Sequence, residues 1–175
     1  VGGGAGNVGI AAIQLAVRAG VRVITSARDS TAERCWAAGA AAVVDYRAPD
    51  LAQRIAASAP DGVDVYWDTS GTNDTDTAAA VLRPGGRMLV TAGRSPITVS
   101  LAPLYTHDVA IDGFVISRAS AAELTEAAGL INTMLTEGRL TTRITDRIPL
   151  ARAAQAHRRI ESGDVDGRLL LTLGA

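Results

Sequence analysis

A chain of 175 residues, 47% hydrophobic and only 3% aromatic, has the size of one domain, or one domain with an extension, with a core of Ala, Val, Leu and Ile. A net charge of −1 without a long basic run argues against a nucleic-acid surface. One cysteine, Cys35, excludes internal disulfides and, with two histidines, a local zinc cage, and no apolar run approaches the ~18 residues of a membrane span.

The chain opens on Val1-Gly2-Gly3-Gly4-Ala5-Gly6-Asn7-Val8-Gly9, in which Gly4, Gly6 and Gly9 spell G-x-G-x-x-G. Ile10, Ile13 and Val17 then share one helical face, and Gly20 stands at the C-cap position. A glycine turn that opens a helix leaves several N–H groups unpaired at the positive end of the helix dipole, which suits a phosphate. In this motif Gly4 is expected to make the tight turn, Gly6 to let a pyrophosphate approach, and Gly9 to pack helix on strand. Such a turn normally follows a complete central strand, and only Val1 precedes it. The sequence is therefore expected to be the C-terminal portion of a longer polypeptide.

Val21–Ser26 reads as the second strand, and Ser30 to Glu33 has capping-box spacing for a helix over Thr31–Ala38, closed by Gly39. Ala41–Tyr46 is a third strand, Asp50 to about Ser58 a helix, and Val63–Asp68 a fourth strand. A helix over Thr75–Leu82 stops at Pro84-Gly85-Gly86, and strands follow at Arg87–Thr91 and Val109–Ile116. Near-continuous apolar strands alternating with helices predict an α/β fold: a doubly wound (Rossmann) parallel sheet with helices on both faces. From Ser120 the pattern changes. A second capping box, Ser120 to Glu123, opens a helix with the stripe Leu124, Ala128, Ile131 and Leu135, ending at Gly138. An extended piece to Pro149, a helix over Ala151–Glu161 and a strand over Arg168–Leu173 complete the chain.

In a dinucleotide-binding fold the residue ending the second strand separates NAD from NADP. A carboxylate there holds the ribose hydroxyls, whereas a 2′-phosphate needs that carboxylate gone and a cation nearby. Here the corner reads Thr25-Ser26-Ala27-Arg28, with Arg28 a fork suited to a phosphate and Ser26 a hydroxyl donor. Asp29 turned inward would favour NAD. Placed at the start of the next helix it faces the dipole instead, and NADP (NADPH) is the expected cofactor.

Several segments together resemble the medium-chain dehydrogenase/reductases. They are Gly6-Asn-Val-Gly-Ile-Ala-Ala-Ile-Gln-Leu-Ala16, Ala38-Gly-Ala-Ala-Ala-Val-Val-Asp45-Tyr46-Arg47, Gly62 to Gly71, Leu82 to Met88, and the tail Ile148 to Leu171. The sequence is most similar to the zinc-free NADPH:quinone oxidoreductase (ζ-crystallin-like) branch, over essentially its whole length, as the C-terminal cofactor-binding portion. The resemblance implies pyrophosphate contacts at Gly6, Asn7 and Val8, and 2′-phosphate or adenosine contacts at Ser26, Arg28 and Tyr46. It further implies that Thr69-Ser70 and Ala92-Gly93-Arg94 line the ribose and nicotinamide path and that Phe114-Val115 face the nicotinamide. It also implies residues 1–118 as the NADP-binding domain, with its first strand truncated, and 119–175 as a segment completing a catalytic domain absent here. Thr31 departs from the pattern, standing where many members carry a phosphate-pairing lysine.

The expected activity is hydride transfer from NADPH to a quinone or enone. An enoyl-thioester reductase, an S-adenosylmethionine-dependent methyltransferase and a non-catalytic NADPH-binding protein are the alternatives. The methyltransferase wants an acid where Ala27-Arg28 stands. A cytoplasmic location, a small-molecule substrate and a homodimer through the edge strand Val109–Ile116 complete the expectations, with no nucleic acid, membrane or metal. No catalytic proton donor is assigned. Asp68-Thr69-Ser70-Gly71 resembles an aspartic-protease signature, but no matching second half exists. His107 and His157 read as surface histidines, Cys35 as a packing residue and Arg139–Arg147 as a solvated face.

Overall fold

The computed structural model describes residues 1–93 and 96–173. Two strands, β1 (Ile24–Ser26) and β2 (Ala42–Val44), pair in parallel with Ile24 opposite Ala42. A second parallel set runs β3 (Val63–Asp68), β4 (Leu82–Val90), β5 (Ala110–Gly113), with Tyr66 opposite Met88 and Met88 opposite Ile111. The opening residues stitch the two sets together. On one side the Val1 nitrogen donates to the Ile24 carbonyl at 2.6 Å, and the Ser26 and Gly4 amides bond the Val1 and Ser26 carbonyls. On the other, the Gly2 amide donates to Trp67 at 2.8 Å and the Thr69 amide to Gly2 at 2.9 Å. Residues 1–4 therefore occupy the central strand position, giving the order β2, β1, residues 1–4, β3, β4, β5.

Both faces of this sheet are covered, as the alternation in its strands shows. Val44 packs with Ile55 of α3 (Leu51–Ser58) and with Ala78 and Val81 of α4 (Thr75–Val81). Its neighbour Val43 packs in the opposite cluster, with Ile13 of α1 (Asn7–Arg18) and Cys35 of α2 (Asp29–Ala37). Successive strand residues point to opposite faces, so two separate clusters meeting one strand mean two helical layers. Cys35 is fully buried, and burial pushes its thiol pKa up, as befits a packing residue rather than a nucleophile.

Some expected boundaries move. Helix α2 starts at Asp29 with Arg28 as its N-cap, so Ser30 lies inside the first turn and the Ser30–Glu33 capping box does not form. A short helix unforeseen in the sequence, α5 (Leu101–Thr106), precedes β5. The edge strand ends at Gly113, and Ile116–Arg118 form a 3-10 turn instead of continuing it.

The C-terminal segment makes its own small parallel pair. Helix α6 (Ala121–Thr136) has the expected capping box: the Glu123 amide donates to Ser120 Oγ, and the Ser120 amide to Glu123 Oε2 at 2.7 Å. Strand β6 (Ile144–Pro149) pairs with β7 (Arg168–Thr172) across helix α7 (Ala153–Glu161). The α6 stripe is open, with Leu124 43%, Ile131 37% and Leu135 49% exposed. Among the described residues no helix is long and apolar enough to cross a membrane.

Gly9 is the packing glycine of the fold. A Cβ there would lie 2.6 Å from Gly4 Cα and 2.7 Å from the Gly4 oxygen, both backbone atoms that cannot swing away. Gly9→Ala should therefore destabilise the chain by about 3 kcal/mol in urea unfolding. An unconstrained helical glycine would instead gain about 1 kcal/mol from the same change, so the sign of the shift decides the point.

Candidate functional site

The opening turn is built from close approaches. Gly3, not Gly4, takes the left-handed conformation (φ +70°), and its carbonyl accepts the Gly6 amide at 3.1 Å. Gly4 is required for a different reason, since a Cβ on it would run into the Thr25 side chain of β1. The turn delivers the chain to Gly6, the N-cap of α1, and the first intrahelical bond runs from the Ile10 amide to the Gly6 carbonyl at 2.9 Å. The amides of Asn7, Val8 and Gly9 consequently have no helical acceptor. Gly6, Asn7 and Val8 are exposed, whereas Gly9 is buried beneath them.

At the end of β1, Ser26 and Ala27 are buried and Arg28 emerges to solvent. Ser26 Oγ accepts the Gly3 amide at 3.4 Å, supporting the turn from below. Arg28 Nε donates to the Tyr46 hydroxyl at 2.7 Å, so these two residues, 18 apart in sequence, form one exposed pair. Asp29 lies in the first turn of α2, where the helix dipole favours a carboxylate. Beside Tyr46, Asp45 is gripped by Arg47 through a 2.7 Å ion pair and through the Arg47 amide at 2.9 Å. Those bonds hold the Asp45 carboxyl down to about 2.

The loop after β3 is organised by a buried carboxylate. Asp68 Oδ1 accepts the Ser70 amide at 2.7 Å, and Oδ2 accepts the Asn73 amide at 2.8 Å and the Asp74 amide at 3.4 Å. Thr69 Oγ1 donates to the Gly2 carbonyl at 2.8 Å, tying the loop to the opening turn, while Ser70 stays exposed. Asn73, buried and in the left-handed region (φ +54°), donates its side-chain amide to the Ala92 carbonyl at 2.7 Å. Asp68 and Asn73 thus position the two loops expected to line the cofactor path, although neither is among the expected site residues. The available signal was an acid ending a strand ahead of a Thr-Ser-Gly-Thr-Asn turn.

Beyond these loops a cleft of about 640 Å³ opens at the carboxyl ends of β4 and β5. Thr91, Ala92, Gly93, Phe114, Val115 and Arg118 line it, and the Phe114 amide bonds the Val90 carbonyl at 3.0 Å. Arg94 lies outside the described residues. The described candidate residues all stand along the carboxyl edge of one parallel sheet, which is where open α/β sheets hold their ligands. Among the described residues no three His, Cys, Asp or Glu side chains converge as metal ligands.

A family model described as "Zinc-binding dehydrogenase" matches residues 7–133. The chain belongs to that family, within the medium-chain dehydrogenase/reductases. It is 28% identical to a quinone oxidoreductase of Mus musculus, over 98% of this chain and 53% of that protein. Among solved structures, AibC is 31% identical with a TM-score of 0.86, over 99% of this chain and 51% of that one. An Escherichia coli quinone oxidoreductase solved with NADPH is 25% identical with a TM-score of 0.82, over 97% and 55%. The chain spans about half the length of the curated relatives it matches. It is a quinone-oxidoreductase-like cofactor-binding domain of this superfamily.

Two measurements probe the loop supports. Asp68→Ala strips three amides of their acceptor, and should cost about 3 kcal/mol in urea unfolding while raising hydrogen exchange across residues 69–74. Asp45 should titrate near pH 2 by carboxyl NMR rather than at its ordinary 3.8, and Arg47→Ala should return it toward that value. Because the folded carboxyl is depressed, its contribution to stability is complete above the ordinary value and is lost as pH falls from there through about 2.

Proposed function

We propose that this chain is the cofactor-binding part of an NADPH-dependent oxidoreductase that delivers hydride to a quinone or to an activated, conjugated C=C bond. The observation that carries the reading is the bare N-terminus of α1 sharing a sheet edge with the exposed Arg28–Tyr46 pair. The residues fit a dinucleotide. Gly6 has no Cβ to fill the mouth, and a Cβ there would meet only the Gly3 oxygen, at 3.3 Å. Three orphan amides and the helix dipole then face a diphosphate.

Arg28 is poised by Tyr46 through Nε alone, leaving both Nη groups to take a 2′-phosphate in a forked, charge-assisted contact. Asp29 lies in the first turn of α2, where the helix dipole favours its charge. Thr69 and Ser70, anchored through Asp68 and Gly2, border the ribose path, and Ala92, Gly93, Phe114 and Val115 wall the cleft for the nicotinamide end. When bound, the cofactor supplies the hydride from its nicotinamide ring; the chain's task is to hold and orient it. A quinone or enone is polarised enough to accept hydride without a Lewis acid. A homodimer through the outer edge of β5 completes the reading.

Trp67, whose Nε1 donates to Thr91 at 2.8 Å beside Ala92, is an internal reporter of this site. NADPH should quench its fluorescence and S-adenosylmethionine should not. Arg28→Glu should weaken NADPH by about tenfold or more, since a cation facing phosphate becomes an anion, and leave NADH within about twofold. Equal loss of both nucleotides would count against the 2′-phosphate role.

A further inference from the structure

Helix α1 carries two amide side chains that leave the phosphate mouth and reach the last third of the chain. Gln14 is buried at mid-helix and clamps one residue, Thr141, much as a strand neighbour would. Its Oε1 accepts the Thr141 amide at 2.8 Å and the Thr141 hydroxyl at 3.2 Å, and its Nε2 donates to the Thr141 carbonyl at 3.2 Å. Asn7 lies about two turns earlier on the same face of the helix. Its Nδ2 donates to the Gly167 carbonyl at 2.9 Å, a contact across 160 residues of sequence. Helix α2 adds Arg34, which grips the Asp166 carboxylate with both Nη groups, and Arg143 joins the same carboxylate at 3.1 Å. The Arg168 amide then bonds the Arg143 carbonyl at 2.8 Å, so the two pinned points are joined at the entry of the β6–β7 pair.

Asn7 has two roles at once. Its peptide N–H belongs to the orphan donors of the mouth, while its side chain holds the C-terminal segment. A first helical turn whose three amides have no helical acceptor gains order when a ligand accepts them. Fixing it also fixes the direction in which the Asn7 side chain leaves the helix, and with it the bond to Gly167. We propose that Asn7 couples anion occupancy at the α1 N-terminus to docking of residues 139–173 on α1, acting as a positioning residue as well as a backbone donor. The inference rests on the cofactor reading above. The coupling is reciprocal: the docked segment pre-orders the mouth, and a diphosphate in the mouth tightens the docking, because the ordering of one turn is paid for once.

Hydrogen exchange of the full chain with and without NADPH tests this, with Trp67 fluorescence as an independent report of binding. NADPH should raise protection of the Thr141 and Arg168 amides by about three- to tenfold, the span expected of one hydrogen bond's coupling. In Asn7→Ala the backbone donors remain, so NADPH should still bind, more weakly, but that gain should fall below about twofold. Gln14→Met should lower protection of Thr141 in both states while keeping the NADPH-dependent gain at Arg168. An undiminished gain in Asn7→Ala overturns the coupling, as does wild-type chain that binds NADPH without any gain. If NADPH leaves both fluorescence and exchange untouched, the cofactor reading fails and the coupling falls with it.

Discussion

The structure depends on a constraint of distance: the opening residues must lie closer to their neighbours than any side chain allows. Gly2 lies against the Asp68 carboxylate, Gly4 against Thr25, and Gly9 against the backbone of Gly3 and Gly4. A Cβ at Gly2 would be 2.9 Å from Asp68 Oδ1, and the contacts at Gly4 and Gly9 are tighter still. Packing α1 this tightly onto the sheet leaves its first three amides, those of Asn7, Val8 and Gly9, without helical acceptors at the carboxyl edge. A longer or looser turn would keep the helix and lose the geometry. The exposed positive end of the α1 dipole at this edge is thus a by-product of close packing, with no cationic side chain in the turn itself.

A second consequence follows at Asp68. A carboxylate 3% exposed is costly unless its oxygens are satisfied, and here loop amides satisfy them. The acid therefore turns the loop after β3 inward to itself, and Thr69 and Asn73 relay that order, one to Gly2 and the other to Ala92. Three loops from distant parts of the sequence become one rim. This is why a strand-end acid that resembles half of a protease signature serves here as a scaffold: its lone pairs are already spent on backbone.

Much of the fold was legible in the sequence. The sheet's alternation, the glycine turn that opens α1 and the α6 capping box follow from apolar runs, glycines and Ser-x-x-Glu spacing, all local signals, whereas the loops after β3, β4 and β5 are singled out only by the family resemblance. The misreadings arise where local signals are degenerate. In Gly2-Gly3-Gly4 any of the three could take the left-handed conformation, and the structure gives it to Gly3 while Gly4 is needed for its approach to Thr25. Ser30 and Glu33 have capping spacing, yet the carbonyl of Arg28 already receives the Thr31 amide and starts the helix two residues earlier. Pro103 masks the short helix α5. The pairs Arg28–Tyr46, Asn73–Ala92 and Asn7–Gly167 are tertiary, and no periodicity encodes them.

The two ends of the molecule are held by different physics. The sheet buries contiguous aliphatic clusters on both faces, so its order comes from apolar contact, which is insensitive to small shifts. The C-terminal segment leaves Leu124, Leu135 and Leu173 substantially exposed and meets α1 and α2 through directional polar bonds from Asn7, Gln14 and Arg34. The Arg34–Asp166 pair is largely solvated and contributes little by itself. Gln14, buried and fully engaged with Thr141, is the dominant restraint, because breaking it would strand a desolvated amide. Directional bonds either form or fail over a fraction of an ångström. A segment attached in that way, at the helix whose N-terminus carries the orphan amides, is placed to register small changes there that an apolar seam would absorb.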